Sequence, residues 1–379
     1  MRTSSAEPRT HLTQVVLSLE CGGSETLARD IALGLDPVRF RTSICALDAA
    51  GPLERDLREA GTPVHVVGRR PGVDWALPAR LYRFFRRQKV DIVQTHHLAP
   101  LIYSALPARL AGAYLVHLEH ERFSYGSAKA RRRLRLLAAL CHRIVVVGGD
   151  IKDYLVSSAM IPVSKVSVFG NGVDVKRYAA TPRLCRRECG LPDEGRLIGH
   201  VGRLAAAKDQ ATLLSAFKGV RAVYPDARLV VVGDGPLRSD LEEQARALGI
   251  ESCVTFLGLR LDVPDLLPHF EVFVLSSVNE GLPLAILEAM AAARPVLSTA
   301  VGEIPTVIDH RVTGLLVSPG DAKLLADGLT TLLERPEWAA ELGRGARSVV
   351  EARFSVQRSV AEFGALYGAL DGRAGGHDK

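Results

Sequence analysis

Short apolar runs alternate with helical patterns along the whole chain. Twelve runs of three to six residues have the composition of buried strands, at 14–19, 42–47, 64–67, 92–94, 114–116, 143–147, 197–201, 229–232, 254–256, 272–275, 296–298 and 314–317. Helical periodicity fills the intervals, for example over 24–35 and 99–111. Because strand, helix and strand in this order form a right-handed parallel unit, the alternation predicts an α/β fold built on doubly wound parallel sheets.

The length of the chain predicts more than one hydrophobic core. At 379 residues it exceeds what one core usually serves, and a hydrophobic content of 47% suffices for two. Between residues 178 and 196 the rhythm is interrupted by Thr181-Pro182 and by Leu191-Pro192-Asp193-Glu194-Gly195. We therefore expect Rossmann-like domains over 11–185 and 192–355, with the active site in the cleft between them.

Two glutamates follow the apolar run at 272–275. Glu280 falls in the loop after this strand, and Glu288 lies just over one turn inside the helix whose first turn contains Pro283. Open α/β sheets bind ligands at the carboxyl ends of their strands, and two carboxylates there suit sugar hydroxyls. The alternative is that both are solvated residues near a helix start, favoured by its dipole. The pair predicts a nucleotide-sugar pocket.

A glycine turn after the run at 197–201 carries two cations. Arg203 follows Gly202 directly, and Lys208 precedes the helical pattern at 210–220. Two cations on one rim suit a diphosphate leaving group, whose charge grows as its bond breaks. Taken alone, an ordinary pair of basic surface residues explains them equally well.

Charge divides unevenly along the chain. Residues 1–190 hold 29 Lys and Arg against 17 Asp and Glu, whereas the remainder holds 19 against 25. The basic excess concentrates at 80–89 and 129–137, where cations are interleaved with apolar residues. Either each stretch is a helix with an ordinary solvated face, or it docks on anionic lipid head groups, where a basic residue contributes about 1 kcal/mol. Nucleic acid is not expected as a partner, because neither stretch belongs to a recognisable reading module.

Signals for export and for metal binding are missing from the sequence. The first ten residues are polar and no apolar run is long enough to span a bilayer, so we expect a cytoplasmic protein, with peripheral contact on the inner face of the membrane as an alternative. The six cysteines are scattered, and Cys185 and Cys189 have no second ligand pair at a zinc spacing. His117-Leu118-Glu119-His120 lacks the HExxH order. We expect reduced thiols and no metal site.

Three motifs in the second half resemble those of retaining GT-B glycosyltransferases of the group 1, family 4 type, which include bacterial mannosyl- and N-acetylglucosaminyltransferases. They are Gly202-Arg203-Leu204 with Lys208, Gly233-Asp234-Gly235-Pro236, and Glu280-Gly281-Leu282-Pro283 with Glu288. In the first half, Gly22-Gly23-Ser24-Glu25 is similar to the first glycine loop of that family. The resemblance covers nearly the whole chain. It implies a GT-B fold, in which a last helix, here 356–370, crosses back to the first domain.

This resemblance assigns donor binding to the second domain. Arg203 and Lys208 would hold the diphosphate and carry most of the catalysis. Glu280 would contact hydroxyls of the sugar, and Glu288 would accept hydrogen bonds from the ribose hydroxyls.

Further donor contacts are implied beside these four residues. Backbone amides of Gly281 and Leu282, at the start of a helix, would add hydrogen-bond donors. Gly235 would lie in a loop near the base, with Arg260 as a neighbour. A dinucleotide fingerprint is the poorer interpretation of that loop, because Arg238 stands where the third glycine should be.

The first domain would supply contacts to the acceptor and to the transferred sugar. Gly22 and Gly23, without side chains, would let the backbone approach the donor phosphates and the acceptor. Glu25 would begin the next helix near the acceptor, where simple capping is the alternative. His120 stands at a strand end where the family places a histidine facing the sugar, and His96 is a candidate near the acceptor. For both histidines the alternative is a structural role.

The implied reaction transfers a hexosyl group from a UDP- or GDP-sugar to an alcohol with retention of configuration and without a divalent metal. No enzymic nucleophile is evident, so the implied route is a front-face substitution in which the leaving diphosphate takes the acceptor's proton. The basic first domain favours a lipid-linked acceptor of cell-envelope or exopolysaccharide synthesis, and a soluble acceptor stays open. One departure concerns the acceptor, because Val147-Gly148-Gly149-Asp150 occupies the place of a serine in relatives.

Three other functional classes stay open on the sequence. A nicotinamide-dependent oxidoreductase would also be α/β, although the incomplete glycine fingerprint counts against it. A GT-B-like epimerase or phosphorylase would share the scaffold, and a non-enzymatic carbohydrate-binding protein would bind sugar without releasing nucleotide. Neither the sugar nor the base follows from these residues.

Overall fold

Two parallel β-sheets organise the chain, and each belongs to a separate unit. The computed structural model describes residues 9–20, 22–120, 128–178 and 180–372. The first unit extends to Asn171 and resumes at Gln357, and the second spans Gly172–Val356. The predicted α/β class with two doubly wound parallel sheets is confirmed.

Seven strands form the sheet of the first unit. They are β1 (Thr10–Val16), β2 (Phe40–Ala46), β3 (Val64–Val66), β4 (Ile92–His96), β5 (Tyr114–Glu119), β6 (Arg143–Val146) and β7 (Val166–Val168). Their spatial order is β3-β2-β1-β4-β5-β6-β7, and every neighbouring pair is parallel. The connecting helices are α1 (Gly23–Gly34), α2 (Glu54–Glu59), α3 (Leu77–Gln88), α4 (Leu98–Leu110), α5 (Ala128–Leu140) and α6 (Gly149–Ser157). Right-handed crossovers place α1 and α2 on one face of the sheet and α3 to α6 on the other.

Six strands form the sheet of the second unit. They are β8 (Arg196–Val201), β9 (Ala227–Val232), β10 (Val254–Gly258), β11 (Val272–Leu275), β12 (Val296–Thr299) and β13 (Leu315–Val317). Their spatial order is β10-β9-β8-β11-β12-β13, again all parallel. The helices are α7 (Gln210–Val223), α8 (Arg238–Ala247), α9 (Val263–Leu266), α10 (Leu284–Ala291), α11 (Ile304–Val307), α12 (Ala322–Glu334) and α13 (Pro336–Arg353), and α14 (Val356–Asp371) ends the described chain.

Both faces of the second sheet are buried. Leu197 and Phe273 belong to one apolar cluster, whereas their neighbours Ile198 and Val274 belong to another. Successive residues of a strand point to opposite faces, so these two clusters lie on the two sides of the sheet. A central strand buried on both faces is a continuous hydrophobic run rather than an alternating one. This burial explains why the runs were visible in the sequence.

Two strands of the first sheet differ from the prediction: β1 starts earlier than expected, and β7 was not predicted. β1 begins at Thr10, four residues before the predicted run, because its polar residues are buried by hydrogen bonds. The His11 ring lies 3.0 Å from Ser43 Oγ, and Thr13 Oγ1 lies 2.9 Å from the same oxygen. The strand β7 was missed, since it has only three residues and becomes exposed toward Val168.

The division between the units falls at 171/172, earlier than the interruption at 178–196. Backbone pairing accounts for this position, because Val173 bridges Ser355 and its N–H donates to the carbonyl of Phe354 at 2.9 Å. These contacts join the start of the second unit to the end of α13. Helix α14 packs within the first unit, where the Phe363 ring lies 5.1 Å from that of Phe169.

Candidate active site

The strand order of the second unit reverses between β8 and β11. The loops that leave these two strands diverge and create a crevice at their carboxyl ends. Arg203 and Lys208 lie in the loop after β8, and Glu280 lies in the loop after β11. The ammonium group of Lys208 is ion-paired with the carboxylate of Glu280, whose side chain is only 8% exposed. The fold thus brings together two candidate residues that are far apart in sequence.

Hydrogen bonds to main-chain carbonyls fix the two loops against each other. The N–H of Val278 donates to the carbonyl of Ala207 at 2.9 Å, and Ser276 Oγ donates to the carbonyl of Lys208 at 2.9 Å. Ser277 Oγ donates to Glu280 Oε1 at 2.6 Å. The ion pair therefore sits on a backbone frame and does not depend on two long side chains finding each other.

Arg203 is exposed, and its backbone carbonyl is held by a series of buried hydrogen bonds through Gln210 and His200. Gln210 Nε2 donates to the carbonyl of Arg203 at 2.9 Å and lies 3.2 Å from His200 Nε2. His200 Nδ1 lies 3.1 Å from the carbonyl of Val274, which can only accept, so Nδ1 carries the proton and Nε2 accepts from Gln210. Burial lowers the pKa of His200 to about 4, which keeps the ring neutral at pH 7.

Glu288 lies in the second turn of α10, as predicted, and receives a hydrogen bond across the second unit. Tyr178 Oη donates to Glu288 Oε1 at 2.8 Å, and Tyr178 is 6% exposed. Arg347 Nη1 donates to the carbonyl of Tyr178 at 3.0 Å and to that of Ala291 at 2.7 Å, which fastens the tyrosine to the end of α10. Tyr178 carried no signal in the sequence pattern.

Gly281 and Leu282 lead from Glu280 into α10. The carbonyl of Gly281 accepts from the N–H of Glu303 at 3.2 Å, and the Leu282 side chain is buried in the apolar core. Gly302 passes directly beneath this loop with φ of +54°, and a Cβ there would overlap the carbonyl oxygen of Glu280. Only glycine combines a positive φ with the absence of a Cβ at low energetic cost, so this position requires glycine.

The loop that contains Gly235 packs against the Arg203 turn. The N–H of Leu204 donates to the carbonyl of Asp234 at 3.0 Å, and a Cβ on Gly235 would overlap the carbonyl oxygen of Leu204. Arg260 follows β10 and pairs with Asp262, with 2.7 Å between Nε and Oδ1. Within the described residues no hydrogen bond joins Arg260 to Gly235.

In the first unit the strand order reverses between β1 and β4. Gly22 precedes α1 in an extended conformation, and Gly23 is the first residue of that helix. The carboxylate of Glu25 folds back over Gly22, where it would overlap any Cβ, and accepts from Ser24 Oγ at 2.8 Å. His97 Nε2 lies 2.8 Å from the same hydroxyl. The contact connects the start of α1 to the end of β4.

Three histidines cluster at the ends of β4 and β5. The His96 and His120 rings stack with centroids 5.5 Å apart, and the His97 ring lies 4.7 Å from that of His120. His96 is 1% exposed and contacts Gln14 Oε1 at 3.0 Å, whereas His120 is half-buried. Burial, reinforced by the neighbouring histidines, lowers the pKa of His96 to about 3 and that of His120 well below its usual value. The cluster therefore holds a neutral His120 at its more exposed edge, with the buried His96 behind it.

The turn Val147-Gly148-Gly149-Asp150 opens α6. Gly148 precedes the helix in an extended conformation, and the Asp150 carboxylate accepts from the N–H of Ile151 at 2.7 Å. A carboxylate close to a helix start complements the helix dipole. The turn therefore carries a carboxylate and no serine hydroxyl, in line with the departure noted in the sequence.

Two family models match the chain in succession. The model described as Glycosyltransferase Family 4 matches residues 21–177, and the model described as Glycosyl transferases group 1 matches residues 195–335. The chain belongs to the group 1, family 4 glycosyltransferases. It is an enzyme that transfers sugars, as the motifs predicted.

Named relatives and solved structures agree with this assignment. The glycosyltransferase is 28% identical over 301 residues to the UDP-Gal:alpha-D-GlcNAc-diphosphoundecaprenol alpha-1,3-galactosyltransferase of Escherichia coli. The aligned region covers 76% of this chain and 77% of that relative. It is 26% identical over 310 residues to the N-acetyl-alpha-D-glucosaminyl L-malate synthase of Bacillus anthracis, covering 78% and 79%. HepE of Anabaena, crystallised with UDP and glucose, shares 23% identity and a TM-score of 0.85 over 95% of this chain and 100% of that one. The last comparison shows the GT-B fold.

In the part of the glycosyltransferase that the structure describes, none of the helices combines the length and the apolar character needed to cross a bilayer.

Acid is expected to destabilise the glycosyltransferase through its buried histidines. The folded-state pKa values of His200, about 4, and His96, about 3, lie below the unfolded value of 6.5. Below pH 6.5 the unfolded chain binds protons that the folded chain does not, so stability is complete above that pH and falls toward pH 4. Each histidine should cost about 2 kcal/mol of unfolding free energy at pH 5 relative to pH 7.5. Urea titrations at the two pH values measure the loss.

A matched pair of variants isolates this effect. His200→Gln should lose less stability between pH 7.5 and 5 than the parent, whereas His310→Gln, at an exposed position, should lose as much. An equal loss in the parent and in His200→Gln contradicts the assignment of the acid sensitivity to that ring.

Proposed function

We propose that this glycosyltransferase moves a hexosyl group from a UDP-sugar to an alcohol acceptor with retention of the anomeric configuration. The ion pair between Lys208 and Glu280 carries the proposal, because it joins a cation suited to diphosphate and an acceptor suited to sugar hydroxyls at one switch point. The E. coli relative is named for UDP-Gal, and the Anabaena structure contains UDP and glucose. These names favour uridine over guanosine as the base.

Each part of the donor meets different groups in this proposal. Arg203 and Lys208 bind the diphosphate, where a well-placed donor contributes on the order of 3 kcal/mol as charge develops. Glu280 accepts from sugar hydroxyls, and Glu288, oriented by Tyr178, accepts from the ribose hydroxyls.

Backbone groups complete the donor contacts. The amides of Gly281 and Leu282, just before α10, face the diphosphate or the sugar as donors. Gly235 and Arg260 lie on the side of the base. Gly22 and Gly23 of the first unit stay predicted contacts of a phosphate or of the acceptor, because residues without side chains admit a ligand close to the backbone.

The bond changes follow from how Glu280 is held. Its carboxylate accepts from Lys208 and Ser277, which lowers its power as a nucleophile, so no covalent sugar intermediate is proposed. The bond between the anomeric carbon and the diphosphate oxygen breaks, and the acceptor oxygen bonds to the same face of that carbon. The departing diphosphate takes the acceptor's proton. Arg203 and Lys208 stabilise the charge that this oxygen gains.

The acceptor is proposed to meet the loops after β1, β4 and β5. Glu25 lies in the first turn of α1, which follows β1, and His120 follows β5 directly, with His96 acting through His120 as a positioning residue. The E. coli relative is named for a sugar carried on diphosphoundecaprenol. We therefore propose a lipid-linked acceptor of cell-envelope or exopolysaccharide synthesis, met by peripheral contact with the membrane.

Divalent metal is not part of the proposed mechanism, because two cationic side chains already oppose the diphosphate charge. Nucleotide release should stay within about twofold of its starting rate when EDTA is added in excess over any contaminating metal, since a fixed cation replaces the metal's role. A loss of activity that Mg²⁺ or Mn²⁺ restores contradicts this part of the proposal.

A donor panel tests the proposed activity. Purified protein is incubated with UDP-, GDP- and ADP-sugars, and the released nucleoside diphosphate is measured. Slow release from one UDP-sugar is expected even without acceptor, and the anomeric configuration of the released or transferred sugar is read by NMR. An isomerised sugar nucleotide indicates an epimerase, a requirement for phosphate indicates a phosphorylase, and binding without release indicates a carbohydrate-binding protein.

A further inference from the structure

Helix α4 of the first unit carries an exposed apolar ridge. Ile102, Leu106 and Leu110 follow one another at four-residue spacing and are 45%, 56% and 63% exposed. The opposite side of the helix is buried against the sheet through residues such as Leu101 and Ala105. A row of aliphatic side chains facing solvent indicates a surface that meets an apolar partner.

A tryptophan extends this ridge. Trp75, just before α3, is 88% exposed. The N–H of the preceding Asp74 lies 3.3 Å from Tyr103 Oη, which ties its loop to α4. Tryptophan is enriched at bilayer interfaces, because its ring is apolar and its N–H still seeks a polar partner.

Basic helices flank the ridge on both sides. Helix α4 packs against α3 and α5, and the three share the sheet face opposite α1 and α2. None of the three helices contains an acidic residue. Six exposed cations of these helices have neither an ion-pair partner nor a side-chain hydrogen bond among the described residues: Arg83, Arg86, Arg87, Lys129, Arg132 and Arg133. On α2, by contrast, Arg55 and Arg58 are paired with Glu59 and Glu54.

We infer that this surface, Trp75 with the ridge of α4 and the cations of α3 and α5, docks the enzyme on an anionic lipid bilayer. The ridge enters the boundary between head groups and acyl chains while the cations stay at phosphate depth. Arg83, Phe84 and Arg87 help to line an open groove of about 400 Å³, which offers room for a head-group phosphate. A second copy of the chain does not suit this surface, because two such faces would oppose like charges. Nucleic acid does not suit it either, because the ridge would find no apolar partner there.

The inference deepens the proposed function and rests on it for its purpose, since docking brings the acceptor loops toward a lipid-linked substrate. Binding to vesicles involves no sugar transfer, and nucleotide release from a soluble donor involves no membrane. The two measurements therefore fail independently.

Vesicle sedimentation tests the docking. The full chain is mixed with vesicles of phosphatidylcholine alone or with 40% phosphatidylglycerol, and the bound fraction is measured at low and high salt. Binding should require the anionic lipid and should fall as salt screens the charges. Equal binding to both vesicle types, or to neither, overturns the inference.

Paired variants locate the contact. Arg83→Gln/Arg87→Gln should weaken partitioning about 10- to 30-fold. Ile102→Ser/Leu106→Ser should weaken it roughly tenfold, with little change in salt dependence. The control Arg55→Gln/Arg58→Gln removes two positive charges from the other face of the sheet and should bind like the parent. If the control loses as much affinity as the first variant, net charge rather than this surface governs binding and the inference is wrong.

Tryptophan emission supplies a second readout. The chain contains two tryptophans, Trp75 and Trp338, so Trp338→Phe leaves Trp75 as the sole reporter. Its emission should shift to the blue on anionic vesicles, and inorganic phosphate at 10 mM or a polyanionic RNA should neither produce the shift nor displace the vesicles. Unchanged emission in the bound state, or release by either competitor, overturns the inference.

Discussion

Lys208→Ala is expected to reduce nucleotide release from the donor about 10²- to 10³-fold. The substitution removes a cation that opposes the charge developing on the diphosphate, and one such contact is worth about 3 to 4 kcal/mol in the transition state. The free energy of unfolding should fall by only about 1 to 2 kcal/mol, since Glu280 keeps its hydrogen bond from Ser277. Single-turnover kinetics and urea unfolding of the same preparations separate the two effects.

Lys323→Ala is the matched control for this prediction. Lys323 is also a lysine of the second unit in an ion pair, with Asp327 at 3.1 Å, but its side chain is 85% exposed and lies on α12. Its replacement should leave nucleotide release unchanged. A Lys208→Ala enzyme that releases nucleotide at the rate of this control removes Lys208 from the diphosphate site.

Glu288→Gln is expected to lower kcat/KM for the donor roughly 10- to 100-fold, mainly through a higher KM. The ribose hydroxyls lose a charged acceptor, and a hydrogen bond to a charged group is worth about 1.5 to 3 kcal/mol. Tyr178→Phe should act in the same direction by a smaller factor, because it leaves the carboxylate in place without the 2.8 Å bond that orients it. The measurement compares a UDP-sugar with its 2′-deoxy analogue for each variant.

The comparison between donors decides the role of Glu288. The parent should discriminate against the deoxy analogue, and both variants should lose much of that discrimination. Glu334→Gln, at an exposed position at the end of α12, should retain it. Undiminished discrimination in Glu288→Gln assigns the ribose to some other group.

The sheets were predictable because a strand buried on both faces is an uninterrupted run of apolar residues in the sequence. All twelve predicted strands are present, since runs such as β11 have apolar residues facing both layers. The start of β1 could not be recognised in this way, because His11 and Thr13 are polar residues whose burial is stabilised by hydrogen bonds. Three-residue β7 was too short for its period to be recognised.

The candidate site was predictable only where local spacing determines position. Glu280 and Glu288 follow one strand, so their placement on a loop and a helix could be expected from the sequence alone. The contacts that hold them could not, because Tyr178 meets Glu288 across 110 residues. Likewise, the hydrogen bonds from Gln210 to His200 and to the carbonyl of Arg203 could not be predicted, because only the tertiary fold determines the partners of a buried amide.

The backbone frame beneath Lys208 has a consequence for how the specificity of the enzyme can change. The loop after β11 is held to the loop after β8 through the N–H groups of Val278 and Asn279, and the Val278 side chain is 46% exposed. Under the proposed function, substitutions at these two positions can alter the surface that meets the sugar of a new donor, while the main chain keeps Lys208 in place. Selection, natural or in the laboratory, can therefore explore donors without first dismantling the catalytic charge.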